Sequence, residues 1–133
     1  MQVIGVDHVT IRVQPDRVEA LRAFYEDVLG LRAGARPLTF PGVWLYVGGQ
    51  AVVHVAGNLE KGAPPAREGA FDHVAFRTRG LGDAKARLDA AGIPWREVWR
   101  PDMGILQLVL HDPAGVKVEL AFDPAEHGGR SRA

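Results

Sequence analysis

A short motif occurs twice in this chain of 133 residues, and the two copies begin 65 positions apart (72 − 7). The sequence Asp-His-Val-Thr-Ile-Arg begins at Asp7, and Asp-His-Val-Ala-Phe-Arg begins at Asp72. A second residue able to bind a metal follows each histidine after 46 positions (54 − 8 and 119 − 73), as His54 in one copy and Glu119 in the other. The repeat predicts one structural module used twice, with three imidazoles and a carboxylate at matched positions. Such a set is suitable for one divalent metal ion.

Composition argues against several classes of function. The 16 Lys and Arg residues balance 16 Asp and Glu residues, so nothing indicates binding to nucleic acid or to an anionic membrane surface. The chain has no cysteine, which excludes disulfides, thiolate ligands and cysteine nucleophiles. No apolar run approaches the roughly 20 residues that span a bilayer, and no signal peptide opens the chain. We therefore expect a single cytoplasmic domain without a membrane partner.

The predicted elements follow the same order in both copies: a strand, a helix and three further strands. The first module is predicted at about residues 4–56 and the second at about 70–122, joined by a linker rich in Pro and Gly at 57–69. After Phe122 the chain is polar and Gly-rich, so residues 123–133 are predicted to form a loose tail. The expected fold class is α+β, with two tandem βαβββ modules.

Strand alternation places the four ligand-type residues on one side of the predicted sheet. Each of them stands between or beside apolar neighbours that point to the opposite face. The four residues are His8, His54, His73 and Glu119. The helices should cover the apolar face, because their own apolar stripes must be buried there. The other side of a curved mixed sheet is then expected to form a cup around the metal.

The same alternation directs further residues toward the cup, as aromatic walls and as cations for an anionic substrate. These candidate substrate-binding residues are Arg12, Trp44, Tyr46, Arg77 and Gln107. These residues could have structural roles instead of binding a substrate: the two arginines suit an exposed edge of the sheet, and the two aromatic residues suit ordinary packing. Arg77 could also neutralise Glu119 without a metal, and His54 could be an ordinary strand residue. Asp7 and Asp72 are expected to point away from the histidines and to serve turns or backbone.

Three groups of residues resemble the vicinal oxygen chelate superfamily, which contains glyoxalases, bleomycin-resistance proteins and ring-cleaving dioxygenases. They are Asp-His-Val at both strand starts, the segment Phe24–Leu31 and the segment Asp112–Leu120. The resemblance extends from Gly5 to about Phe122. It implies paired βαβββ modules whose sheets enclose one divalent metal ion (Zn, Ni, Co, Mn or Fe), usually in a homodimer. The metal positions of the superfamily match His8, His54, His73 and Glu119 of this chain.

The resemblance also implies a class of chemistry, in which the metal binds two neighbouring oxygens of a small substrate. Our first hypothesis is a glyoxalase-like lyase or isomerase, with Glu119 as the catalytic residue that moves a proton. The alternatives are an extradiol ring-cleaving dioxygenase and a metal-free protein that binds a small molecule such as an antibiotic. Glyoxalase I enzymes of this length usually carry Glu or Gln at the place of His54, which counts against the glutathione reaction. Metal-free antibiotic-binding relatives generally lack the ligand residues, which counts against that class.

Overall fold

Each half of the chain forms a four-stranded mixed sheet in the computed structural model, which describes residues 1–2, 4–62 and 72–127. The chain divides into two units, Met1–Pro65 and Ala66–Ala133. Most of the predicted linker and the last six residues of the predicted tail lie outside the described residues. The predicted boundaries of the modules and the linker stay predictions.

The first unit begins with a strand, continues with a helical segment and ends with three strands. Its strands are β1 Val9–Arg12, β2 Arg32–Gly34, β3 Gly42–Val47 and β4 Gln50–Ala56. Their order in the sheet is β1-β4-β3-β2, and β1 runs parallel to β4 while the other pairs are antiparallel. The helical segment consists of a 3-10 turn at Pro15–Arg17, helix α1 at Val18–Arg22 and a π-helical stretch at Ala23–Val28. Proline suits the first position of such a segment because the N–H that it lacks would have no helical partner.

The second unit repeats this topology. Its elements are β5 His73–Arg77, α2 Leu81–Ala90, β6 Arg96–Arg100, β7 Ile105–His111 and β8 Lys117–Phe122. The strand order is β5-β8-β7-β6, and β5 is again parallel to the last strand, β8. The two matching units confirm the predicted α+β fold class of tandem βαβββ modules. The metal-binding cup stays a prediction. None of the helices described is long and apolar enough to span a membrane.

The core of the first unit explains which face of its sheet is left for function. Leu21 and Tyr25 of the helical segment are fully buried, and so is Val53 of β4. Helix α1 contacts β3 and β4. Because Val53 and Val55 flank His54 on β4, strand alternation directs His54 to the face opposite the helix. In this unit the helix covers the apolar face, as the sequence predicts.

Residues 123–127 are the part of the predicted tail that the structure describes. Pro124–His127 form a 3-10 turn. The Glu126 carboxylate accepts hydrogen bonds of 2.8 Å from the backbone N–H groups of Gly80 and Leu81. These groups lie at the N-terminus of α2, where an acidic side chain satisfies donors that have no helical partner. Composition does not predict these hydrogen bonds, because the partners of Glu126 lie 45 and 46 positions earlier in the chain.

Arg22 joins three carboxylates of the first helical segment. Its guanidinium lies 2.7 Å from Glu19, 2.8 Å from Glu26 and 3.1 Å from Asp27. Glu26 also accepts a hydrogen bond from the backbone N–H of Ala33, so the network connects the helical segment to β2. The hydrogen bond from Arg22 holds the pKa of Glu19 below its ordinary value of 4.5.

We predict that Arg22→Gln lowers the melting temperature at pH 7 and that the difference from the wild type shrinks under acid conditions. Because the pKa of Glu19 is depressed in the folded state, its stabilising contribution is complete above pH 4.5 and is lost as the pH falls through the folded value. Melting curves measured between pH 7 and pH 2.5 check this, with exposed Arg32→Gln as the matched control. A difference that stays constant across this range would contradict an ionic origin.

Candidate functional site

Three rings form a parallel stack in the first unit. The ring centroids of His8 and His54 are 3.8 Å apart, with an angle of 10° between the planes. The Trp44 ring stacks on His54 at 4.0 Å and 12°. Trp44 stands opposite His54 in the register of β3 and β4. The structure thus brings together three of the predicted site residues, on the side of the sheet that the helix does not cover.

The surroundings of His54 favour its neutral form. Burial lowers the pKa of His54, and the nearby charge of His8 lowers it further. The Nε2 atom of His54 lies 3.1 Å from the carbonyl oxygen of Ala51, so we assign the ring proton to Nε2. Nδ1 then carries the lone pair of this ring.

Each repeated Asp-His pair forms a hydrogen bond within itself. Nδ1 of His8 lies 2.7 Å from a carboxylate oxygen of Asp7, and Nδ1 of His73 lies 2.8 Å from one of Asp72. An Nδ1–H group that donates to a carboxylate fixes the tautomer whose Nε2 has a free lone pair. Metal-binding histidines are commonly held in this way.

The expectation that Asp7 and Asp72 point away from the histidines was wrong. Strand alternation does not apply to these aspartates, because β1 begins only at Val9 and β5 only at His73. The signal available in the sequence was the recurrence of the whole Asp-His pair at both strand starts.

In the second unit, His73 and Glu119 approach each other. Nε2 of His73 lies 3.4 Å from Oε2 of Glu119, whose side chain is only 12% exposed. The side-chain amide of buried Gln107 donates a hydrogen bond of 2.8 Å to the same oxygen. Among the described residues these are the polar contacts of the Glu119 side chain, and no ion pair joins it to Arg77. The structure therefore does not support the alternative in which Arg77 neutralises this carboxylate.

The pair of His73 and Glu119 fits a divalent metal. With the proton on Nδ1, the Nε2 atom of a neutral His73 is an acceptor, and so is each carboxylate oxygen of Glu119. Two acceptors 3.4 Å apart repel each other unless a positive charge lies between them, as a proton or a metal ion. Metal–ligand bonds of about 2.0–2.2 Å at tetrahedral angles separate neighbouring ligand atoms by about 3.4 Å.

The two histidines of the first unit fit a metal unequally. His8 presents a free Nε2 in the same way as His73. His54 is parallel to His8 within 10°, and lone pairs that lie in parallel ring planes do not converge on one ion. Across residues 1–2, 4–62 and 72–127, no three His, Asp or Glu side chains form a group suited to a metal. The four-residue ligand set stays a prediction, with two members in each unit.

Other predicted substrate-binding residues have partners in the loops of the first unit. Nε of Arg12 donates to the side-chain oxygen of Asn58 at 3.1 Å, and the hydroxyl of Tyr46 donates to the carbonyl oxygen of Ala35. Arg77 is exposed on β5. Their roles in binding a substrate stay predictions.

Two βαβββ modules, each with a carboxylate-held histidine at its start and a ligand-type residue on its last strand, define a protein of the vicinal oxygen chelate type. A family model described as the Glyoxalase/Bleomycin resistance protein/Dioxygenase superfamily matches residues 5–120, and the chain belongs to this superfamily. The resemblance seen in the sequence is thereby confirmed. A search of curated proteins gives no significant match.

Solved structures with the same fold have different roles. The structure is similar to that of a glyoxalase family protein from Bacillus anthracis, with 25% sequence identity, a TM-score of 0.75 and coverage of 92% of this chain and 98% of that one. It is also similar to TnmS3, an antibiotic binding protein from Streptomyces sp. CB03234, at 19% identity, a TM-score of 0.69 and coverage of 92% and 98%. Lactoylglutathione lyase from Agrobacterium tumefaciens matches at 22% identity, a TM-score of 0.63 and coverage of 96% and 98%. At such identities the last two establish the fold alone.

The stack of His54 and Trp44 should be measurable as a coupling energy. We predict that a double-mutant cycle with His54→Ala and Trp44→Ala gives a coupling of about 0.5–1.5 kcal/mol, the usual range for packed ring pairs. Urea denaturation of the four proteins supplies the free energies of unfolding. A control cycle pairs His54→Ala with Val47→Ala, because exposed Val47 is paired with Gln50 rather than with His54. Equal couplings in the two cycles would argue against a stabilising stack.

Proposed function

We propose that this protein is a divalent-metal-dependent, glyoxalase-like lyase or isomerase that acts on a small oxygenated molecule. One observation carries the proposal: Nε2 of His73 and Oε2 of Glu119 face each other at 3.4 Å. A second hydrogen bond orients each partner: Nδ1 of His73 donates to Asp72, and the amide of Gln107 donates to Glu119. Supporting hydrogen bonds of this kind orient metal ligands and are themselves important for affinity.

The residues that would hold the metal are His8, His73 and Glu119, with His54 as the fourth candidate. Three nitrogens and one carboxylate oxygen suit Zn, Ni, Co, Mn or Fe. When bound, the ion supplies Lewis-acid stabilisation of negative charge that develops on substrate oxygens. His54 joins the set only if its ring leaves the plane parallel to His8.

Glu119 is the residue proposed to move a proton. The amide of Gln107 holds its Oε2 atom, and the described residues give Oε1 no hydrogen bond. Oε1 can therefore take a proton from a carbon next to a substrate carbonyl and return it to the neighbouring atom. In this scheme one carboxylate both binds the metal and acts as the base, because the position equivalent to Glu119 in the first module is His54.

The second candidate function is binding of a small planar molecule without a metal. The stack of His8, His54 and Trp44 favours it, because these imidazoles are used in ring packing rather than directed at one ion. TnmS3, which has the same fold, is an antibiotic binding protein. Metal content separates the two candidates.

We predict that untagged protein, purified without chelator, contains about one divalent metal ion per chain and that His73→Ala and Glu119→Ala lose it. Elemental analysis by mass spectrometry, repeated after reconstitution with each candidate metal, is the measurement. His111→Ala is the matched control, since His111 is also a strand histidine but lies exposed at the end of β7. Absence of metal after reconstitution would remove the enzyme proposal and favour the binding protein. Iron together with oxygen uptake on a catechol would favour the ring-cleaving dioxygenase instead.

We further predict that Asp72→Asn weakens metal affinity about 10- to 100-fold, the usual effect of losing a carboxylate behind a histidine ligand. The amide no longer offers a negatively charged acceptor to Nδ1 of His73. Calorimetric titration of metal-free protein with Zn²⁺ or Ni²⁺ gives the affinity. Asp102→Asn, an exposed aspartate before β7, should have no effect. An unchanged affinity for Asp72→Asn would show that the hydrogen bond does not serve metal binding.

A further inference from the structure

Arg36 of the first unit has contacts that the sequence pattern does not predict, since the pattern indicates only Arg12 and Arg77 as cations for a substrate. Arg36 stands in the connection between β2 and β3. Its Nη2 and Cζ atoms lie 2.6 and 2.8 Å from the position that a Cβ atom on Gly42 would take. The carbonyl oxygen of Val55 lies 2.5 Å from the same position, so a side chain at residue 42 would meet both the backbone of β4 and the guanidinium of Arg36.

The position equivalent to Gly42 in the second unit shows on which face of the first sheet the Arg36 guanidinium lies. Gln107 is the equivalent of Gly42, because both stand 12 positions before the ligand-type residue of their module and pair with the alanine two positions after it. The Gln107 side chain reaches Glu119. The space over Gly42, filled by Arg36, is thus on the ligand side of the first sheet. The charge of Arg36 also contributes to the lowered pKa of His54, after the larger effects of burial and of His8.

Hydrogen bonds hold one edge of the Arg36 guanidinium, and the described residues give the other edge none. Nη1 donates to the carbonyl oxygens of Leu38 at 3.2 Å and Phe40 at 2.6 Å. The Phe40 ring lies against the guanidinium, with Cζ 4.5 Å from the ring centroid. Nε and Nη2 are buried and have no hydrogen-bond partner among the described residues. Unpaired buried donors on a charged group are unfavourable, which indicates that a partner binds at this edge.

We propose that the Nε–Nη2 edge of Arg36 binds a carboxylate group of the molecule that occupies the ligand side of the first sheet. The inference rests on the proposed function for the presence of a small-molecule substrate, and it assigns that substrate to the oxygenated carboxylic acids. The two N–H groups of this edge point in parallel and match the two oxygens of a carboxylate. The Phe40 ring that lies against the guanidinium is itself exposed, so this side chain can move aside for the ligand.

Binding of benzoate to the whole, metal-free protein tests the proposal, with benzamide as the neutral probe of the same shape. Trp44 fluorescence in a Trp95→Phe, Trp99→Phe background reports binding near the stack. The Nε–Hε resonance of Arg36 in ¹⁵N-labelled protein reports contact with the guanidinium. We expect benzoate to bind at least about tenfold more tightly than benzamide, as a charged donor pair predicts, and to shift the Arg36 resonance. Because a lysine keeps the charge but lacks the two-pronged edge, Arg36→Lys should lose most of this preference, while Arg32→Lys, at an exposed position of β2, keeps it.

Four results would overturn the proposal: absence of benzoate binding, equal affinity for the two probes, an unchanged preference in Arg36→Lys, or tighter binding of methylphosphonate than of acetate. The resonance titration uses the wild-type side chain and so remains decisive if a variant fails to fold. Metal binding gives an independent readout, since Arg36→Lys should leave Zn²⁺ affinity unchanged. Loss of the benzoate preference with intact metal binding would remove only this inference. Absence of metal with a retained preference would remove only the proposed function.

Discussion

The parallel pairing of the first and last strands is the interaction on which each module depends. In the first unit Thr10 pairs with His54, and in the second Ala75 pairs with Glu119, so both registers span 44 positions (54 − 10 and 119 − 75). A histidine two residues before the paired position thereby comes close to the ligand-type residue of the last strand. Parallel strands require a long crossover connection, and the helical segments supply it. A shift of the register by one residue would turn His54 or Glu119 toward the apolar face of its own sheet.

The two modules use the same topology for different chemistry. Gln107 of the second module has a side chain that orients Glu119, whereas Gly42 at the equivalent position leaves room for Arg36. Trp44 stacks on His54, and the residue at its equivalent position in the second module is Val109, which has no ring to stack. The two modules therefore share the same strand order while the side chains at matched positions differ. One module presents a carboxylate, and the other presents an aromatic stack.

Much of the fold and part of the site could be predicted from sequence because they depend on local periodicity. Strand alternation places His54 and Glu119 on the face opposite their apolar neighbours, and the repeat predicts the second module from the first. Strand alternation does not predict the direction of a side chain that lies outside a regular strand. Asp7 precedes β1, so its direction is set by its hydrogen bond to His8 rather than by alternation.

Contacts between residues far apart in the chain could not be predicted from the sequence pattern either. The position of Arg36 depends on the absence of a side chain at Gly42 and on two loop carbonyl groups, none of which produces a periodic pattern. The parallel stack of His8 on His54 depends on how two rings turn, which strand parity does not determine. The sequence could thus identify the four candidate ligands, while their orientation follows from tertiary contacts.

The hydrogen bonds of Glu126 show that the second unit continues past its last strand, β8. A chain shortened after Phe122 would keep the eight strands that the structure describes, yet the backbone N–H groups of Gly80 and Leu81 would lose their acceptor at the start of α2. Helix α2 belongs to the crossover that makes the parallel pairing of β5 and β8 possible. The segment Pro124–His127 therefore supports the geometry of His73 and Glu119 from a distance, and a minimal expressed fragment of this domain should include it.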